Sequence, residues 1–185
     1  MVGMALEHAI LVSLTERAGS GYELTRRFDK SIGFFWRATH QQIYRVLKRM
    51  DEAGWVHVEH VPQDGKPDKK VYTVTEEGAA EIERWVAEPS APLELRDELA
   101  VKLRAAAHGD LGAMIAEVER HRDHHAERLA LYEALERRDF PDPDVLTGPA
   151  LHQFLVLRGG VSAERGFVAW CDEVSAALRR EKGDS

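Results

Sequence analysis

Six residues with side chains suited to reading a nucleic acid fall in one stretch of nine: Gln41, Gln42, Tyr44, Arg45, Lys48 and Arg49. Glutamine can bond the adenine edge in a bidentate way and arginine the guanine edge, while lysine and tyrosine can hold phosphate oxygens. A second basic group, Lys66, Lys69 and Lys70, stands at and beside an Asp64-Gly65 turn, where a backbone contact would need positive charge. The chain of 185 residues carries a formal net charge of −7, which at first sight opposes such a partner. A partner feels the local field and not the sum over the chain. From Arg26 to Arg49 seven basic residues stand against the single acid Asp29, whereas Glu88 to Ser185 holds 13 basic and 19 acidic residues.

Other chemistries find less support. Glu117, His121 and His125 are one helical turn apart, with His124 beside them, and imidazole suits zinc, nickel or copper. A tight site usually needs further ligands and a supporting shell, so no metal and no cofactor is assigned, and a metal-responsive regulator using His121 and His125 stands as an alternative. The lone Cys171 lies among Val168, Trp170 and Val174 and reads as a buried thiol. No Gly-x-x-x-x-Gly-Lys loop, Gly-x-Ser-x-Gly elbow or His-Glu-x-x-His pair occurs, so an enzyme is not expected. No apolar run reaches a membrane span and the start does not read as a secretory leader, so a cytoplasmic protein is expected.

The elements that must position the basic residues are set by periodicity. Met4 to Arg17 has an apolar stripe at Leu6, Ile10, Leu11 and Leu14. Ser20 with Glu23 predicts a capping box for a short second helix ending near Gly33. A third helix starts about Thr39, with Ile43, Val46, Leu47 and Met50 inward and Gly54 at its end. Trp55–Val61 and Lys69–Val74 alternate as strands of an antiparallel hairpin, joined by a loop over residues 62–68. Thr75 caps a fourth helix, its buried side expected at Ala79, Ile82, Trp85 and Val86.

Pro89 and Pro92 break the pattern, and the chain beyond them reads as helical. Arg96 to His108 predicts one helix, Asp110 caps a long one reaching Arg138, and Pro149 opens a last helix expected to continue through Gly159, Gly160 and Gly166. In the long helix Leu111, Ile115, Val118, Arg122, His125, Leu129 and Tyr132 repeat in steps of four and three. Arg122 and His125 interrupt that seam, so the helix there either faces solvent or borders a cavity between subunits.

The fold class is mainly α with a small β-hairpin. Three helices and a basic-tipped hairpin are the order of a winged helix-turn-helix, whose third helix enters the major groove. We place this domain at residues 1–88, a linker at 89–94 and an all-helical dimerisation and effector domain at 95–185. With its apolar residues inward, the third helix turns Gln41, Arg45 and Lys48 outward, with Tyr44 on one flank and Gln42 and Arg49 on the other. A protein-interaction module that had lost DNA binding would show acidic or apolar residues there. Dimer contacts are expected at Leu6, Ile10, Leu129, Tyr132, Leu157, Val161, Val168 and Val174. Trp36, Phe154 and Trp170 are candidates for an effector pocket, although aromatics at helical spacing are more often core.

Gly21-Tyr22-Glu23-Leu24, Phe35-Trp36-Arg37-Ala38-Thr39, Gln42-Ile43-Tyr44-Arg45-Val46-Leu47 and Gly54-Trp55-Val56 closely resemble the PadR family of bacterial transcriptional regulators. Gly65-Lys66-Pro67, Lys70 through Gly78, Trp85 and Pro89 continue the match. Leu95-Arg96-Asp97-Glu98 and Leu157-Arg158-Gly159 through Trp170 are similar to the longer branch of that family with a helical C-terminal domain. The resemblance implies a homodimeric repressor on an inverted-repeat operator, released when a small-molecule effector alters the dimer. It carries recognition roles to Gln41, Gln42, Tyr44, Arg45 and Lys48, and backbone contacts to Tyr22 and the wing lysines; Arg37 and Thr39 join these as candidate backbone contacts. Where many members have proline, this chain has Arg45, an added donor expected to change the preferred operator.

Overall fold

The computed structural model describes residues 3–30, 38–63, 65–92 and 97–183, with the side chains of residues 3–5, 29–30, 63 and 66–67 outside that description. The chain divides into two compact units, Met1–Pro92 and Leu93–Ser185.

In the first unit α1 (Gly3–Glu16), α2 (Gly21–Lys30) and α3 (His40–Glu52) precede a hairpin of β1 (Val56–Gln63) and β2 (Lys66–Val74), and α4 (Glu76–Val86) closes it. The apolar stripes named by the sequence meet in one core: Leu6, Ile10, Leu11 and Leu14 of α1, Leu24 and Phe28 of α2, and Ile43, Val46, Leu47 and Met50 of α3. Both capping boxes form. Glu23 Oε2 accepts the Ser20 N–H at 2.8 Å while Ser20 Oγ accepts the Glu23 N–H at 3.3 Å. Thr39 and Gln42 do the same for α3, at 2.8 and 3.2 Å. Each box satisfies donors that a helix start leaves without an intrahelical partner.

The hairpin is longer than its prolines led us to expect. Pairing runs from Val56 opposite Val74 to Gln63 opposite Lys66, with an irregularity between Val61 and Gln63 that takes up Pro62. Proline is admitted at bulges and on edge strands, and in a two-stranded sheet both strands are edges. Gly19 and Tyr72 exchange backbone hydrogen bonds of 3.2 and 3.0 Å, which dock β2 on the corner between α1 and α2.

α4 is capped by Thr75, but its packed side differs from expectation. Ile82 and Trp85 are half-buried, whereas Ala79 and Val86 are exposed. The closest approach is made by Gly78 instead. A Cβ on Gly78 would strike the Trp55 carbonyl oxygen, nearer than real Cβ atoms come, so α4 lies directly on the turn after α3. On α1 the buried His8 stacks on Trp85, with ring centroids 4.4 Å apart, and meets Glu81 at 2.8 Å.

In the second unit α5 (Glu98–Arg104) and a 3-10 turn at Ala106–His108 lead into α6 (Leu111–Asp139); a second such turn at Pro143–Val145 precedes α7 (Gly148–Lys182). The single helix expected over residues 96–108 is thus shorter, because Asp97 caps its start by accepting the Leu99 N–H at 2.9 Å and the backbone tightens after Arg104. α7 runs unbroken through Gly159, Gly160 and Gly166. Ion pairs Arg122–Asp172, His125–Glu164 and Glu136–Arg158 descend along α7 as they ascend α6, so the two form an antiparallel hairpin. Met114, Ile115 and Val118 pack with Leu99, Cys171 and Leu178 at one end.

This packing corrects part of the expected dimer seam. Leu6 and Ile10 are buried in the core of the first unit, and Tyr132, Leu157 and Val161 are buried in the second. Those side chains are already covered within one chain and are not available to another copy. Leu129, Val168 and Val174 stay half-buried.

Two outcomes are expected. Gly78→Ala forces α4 off the Trp55 carbonyl; overpacking of this kind costs about 1–3 kcal/mol, or about 4–8 °C of melting temperature per kcal/mol in a unit of this size, measurable by calorimetry. The second concerns acid. The Ser20 backbone N–H, followed by the Lys69 ammonium, lowers the Glu23 carboxyl from 4.5 to about 2, and the Arg84 guanidinium, with His8, does the same for Glu81. The folded state therefore binds fewer protons than the unfolded chain between those values. The stability these groups add is complete above about pH 4.5 and is lost as pH falls toward about 2. Melts from about pH 5 to about pH 3 should fall, and less steeply in Glu81→Gln.

Candidate nucleic-acid interface

The free face of α3 is set by its buried one. Ile43, Val46, Leu47 and Met50 are turned into the core, which leaves Gln41, Arg45 and Lys48 exposed on the opposite side. Gln41 and Arg45 make no hydrogen bond or ion pair among the described residues, so their donors and acceptors are available to base edges. Lys48 lies 3.6 Å from Glu52, one turn on, as an exposed pair that adds little stability and gives way readily.

The flanking residues behave differently. Gln42 and Thr39, both exposed, form the capping box that holds the start of the helix. Arg49 is turned toward α1, donating from Nε to Glu7 at 2.9 Å and tying the two helices. Tyr44 remains 49% exposed, yet its ring lies over Gly21: a Cβ there would come 2.5 Å from Tyr44 Cε1. Only glycine admits that contact. It joins the recognition helix to the first residue of α2, beside Tyr22, which is 59% exposed. His40, the first residue of α3, is also exposed next to Gln41; the sequence reading passed over it, although its place at the N-terminal turn was the available signal.

On the wing Lys70 is exposed and makes no ion pair among the described residues, while Lys69 donates to Glu23 Oε1 at 2.9 Å. Lys66 takes its place at the start of β2, but its side chain lies outside the described residues, as do Trp36 and Arg37. At this corner Arg27 of α2 donates to the backbone carbonyls of Ser13 at 2.9 Å and of Arg17, tying α2 to the end of α1. Burial lowers the Arg27 guanidinium pKa from its ordinary value, consistent with a structural tie.

The second unit separates the residues that suggested a metal. Glu117 is taken up by Arg120, at 2.8 and 2.9 Å, whose guanidinium lowers its carboxyl to about 2. His121 lies 3.5 Å from the same carboxylate and 3.2 Å from that guanidinium. His125 instead turns into the hairpin, where Nδ1 meets Glu164 Oε2 at 2.6 Å and its ring stacks on Phe167, 4.5 Å away. Among the described residues no group of three histidines, cysteines or carboxylates is placed to hold a metal ion. Glu164, 5% exposed, is also paired with Arg128 at 3.1 Å. The sequence reading missed it, although it interrupts the apolar steps Leu157, Val161, Cys171. The interrupted seam of α6 meets polar groups of α7: Arg122 pairs with the exposed Asp172, and His125 meets the buried Glu164. Of the pocket candidates, Phe154 packs on Phe140 with ring centroids 5.6 Å apart, and Trp170 packs on the core at the other end. Burial also raises the Cys171 thiol, which fits an unreactive core residue.

The arrangement matches known regulators over both units. Residues 10–84 match the transcriptional regulator PadR-like family and residues 95–179 the virulence activator alpha C-terminal family. The chain is 51% identical to a probable transcriptional regulator of Mycobacterium tuberculosis, over 97% of this chain and all of that one. Among solved structures it is similar to Bacillus subtilis PadR in complex with operator DNA, at 26% identity and a TM-score of 0.83, covering 94% of this chain and 99% of that one. The Vibrio cholerae virulence activator AphA matches at 31% identity and a TM-score of 0.78, over 95% and 99% of the two chains. An exposed polar face on a third helix, a basic wing and a long helical hairpin therefore come together in a chain that belongs to the PadR family of transcriptional regulators.

Proposed function

We propose that the protein is a homodimeric repressor that reads an inverted-repeat operator with Gln41, Arg45 and Lys48 and leaves it when a small molecule binds. The observation that carries this is the exposure of Gln41 and Arg45 on a core-anchored helix face, with no hydrogen bond or ion pair among the described residues. Tyr22, Tyr44 and Lys70 flank that face and suit phosphate contacts. The recognition helix supplies base contacts at its N-terminal part, where His40 and Gln41 stand. The effector part of the reading is supported by a solved structure of Bacillus subtilis PadR that holds p-coumaric acid.

A two-fold operator needs two protomers at fixed spacing. On α7 the residues Leu155, Gly159, Ser162, Gly166 and Ala169 are spaced in steps of four and three along the side opposite the α6 contacts, and all are exposed. Small residues there let a second helix approach closely, and Leu155 at 56% exposure supplies an apolar contact. This face replaces the buried positions as the seam between copies.

Fluorescence anisotropy on the DNA upstream of the protein's own gene, against scrambled competitor and over a salt series, tests the reading. Arg45→Ala should cost about 1–3 kcal/mol and relax base preference at one position of each half-site, whereas Lys70→Ala should weaken all sequences alike and lower the salt slope by about one. Equal losses on every sequence for both variants would remove the division between reading and holding. Leu155→Asp, at an exposed position, should shift the protein toward monomer in sedimentation equilibrium with its melting temperature nearly unchanged, and operator affinity should fall with it.

A further inference from the structure

We propose that Glu23 is a positioning residue for the wing: its carboxylate, fixed at the start of α2, holds the Lys69 ammonium of β2 and so sets the wing against the recognition helix. The inference rests on the DNA-binding reading above. The two carboxylate oxygens are divided between two tasks. Oε2 accepts from the Ser20 N–H at 2.8 Å and from Ser20 Oγ at 3.0 Å, which fixes the side chain to the backbone of the corner. Oε1 accepts from Lys69 Nζ at 2.9 Å, across 46 positions of sequence. The same corner touches everything that must be aligned on a duplex. Gly19 bonds the backbone of Tyr72 on β2, and Gly21 underlies the ring of Tyr44 on α3.

A carboxylate beside a DNA-facing surface repels phosphate, so its presence there calls for a compensating role. As an exposed ion pair, with side chains 47% and 32% accessible, it is a weak source of stability. Its effect lies in order. A lysine held before binding loses less freedom on contact, and a strand held at Lys69 as well as at Tyr72 is restrained at two points along its length. The backbone N–H of Ser20 lowers the carboxyl to about 2, so the holding charge persists over the whole range in which the protein works.

Glutamine serves the capping box as glutamate does, so Glu23→Gln removes the hold on Lys69 while keeping the start of α2. The full-length variant is compared with wild type by anisotropy on the fragment that wild type selects from genomic DNA. We expect affinity to fall about two- to tenfold with the salt slope unchanged, since no lysine is lost. Lys69→Ala lowers both affinity and slope, and in the Lys69→Ala background Glu23→Gln has no further effect. Glu23→Asp, which keeps the charge, recovers part of the loss and serves as the second variant if Gln melts early. Binding by Glu23→Gln as tight as wild type or tighter overturns the proposal, as does a loss that persists undiminished without Lys69. If wild type prefers no fragment over scrambled DNA, the regulator reading itself falls and takes this inference with it; a wild type that binds while Glu23→Gln is silent sinks the inference alone.

Discussion

Burial of Ile43, Val46, Leu47 and Met50 is the constraint on which the rest of the first unit depends. At about 1.5–3 kcal/mol for each large apolar side chain taken from water, the four together supply roughly 6–12 kcal/mol of gross driving force. That is enough to fix the rotation of α3 about its axis. Once the inward face is fixed, each remaining residue has a set direction, because successive residues turn by a constant angle. Gln41 and Arg45 are therefore aimed by hydrophobic packing, with no polar contact among the described residues. Gln42 and Thr39 close one end of the helix, and Arg49 ties the other to Glu7. A helix held at both ends and along one side is a rigid frame for the fourth side.

The helical hairpin of the second unit is held on another principle. Its central layer is polar, with Glu164 buried between His125 and Arg128, and Arg122 paired with the exposed Asp172. Replacing a buried pair by apolar residues is often neutral or stabilising, so such a layer is a poor source of net stability. It is a good source of register. Sliding α7 by one turn along α6 would take the buried Glu164 carboxylate away from His125 and Arg128, and a buried carboxylate without its partners is costly. Apolar contacts at Val118 and Tyr132 tolerate such a slip far better. The charges thus select one alignment of two long helices whose apolar contacts alone would permit several.

Much of this was legible in the sequence. The apolar spacing of α1 and α3 and the Ser20 and Thr75 caps arise from local rules, and the structure has α1, α3 and those caps where the rules place them, the expected end of the second helix near Gly33 lying outside the described residues. What local rules missed was tertiary. The hairpin overran its prolines because a two-stranded sheet has only edges. Val86 proved exposed because α4 touches the unit through Gly78 near its start, a contact made by the absence of a side chain and so invisible to hydrophobic patterning. The partners of Arg122 and His125 lie 50 and 39 positions away. Nothing in the period of α6 could name them. For the candidate interface the apolar spacing set which side of α3 is exposed, while the intrachain contacts of Gln42, Thr39 and Arg49 came from capping and from α1, which the periodicity of α3 does not carry.

Those intrachain contacts bear on how an acidic protein can hold DNA. Several cations of the basic stretch are answered locally: Arg49 by Glu7, Lys48 by Glu52 and, on the wing, Lys69 by Glu23. Among the described residues Arg26, Arg45 and Lys70 are exposed and make no ion pair. Salt dependence of affinity scales with the number of phosphates neutralised, at about 0.9 per contact on a duplex. Each cation paired within the chain is less free to neutralise a phosphate, so a single unit gains less from charge than its basic residues suggest. In the homodimer proposed above the number doubles, and two reading faces must find their half-sites at once. Pairing of protomers then multiplies the base-dependent part of the affinity while the charge-dependent part stays modest, so a chain of net negative charge need not bind every duplex in order to bind one.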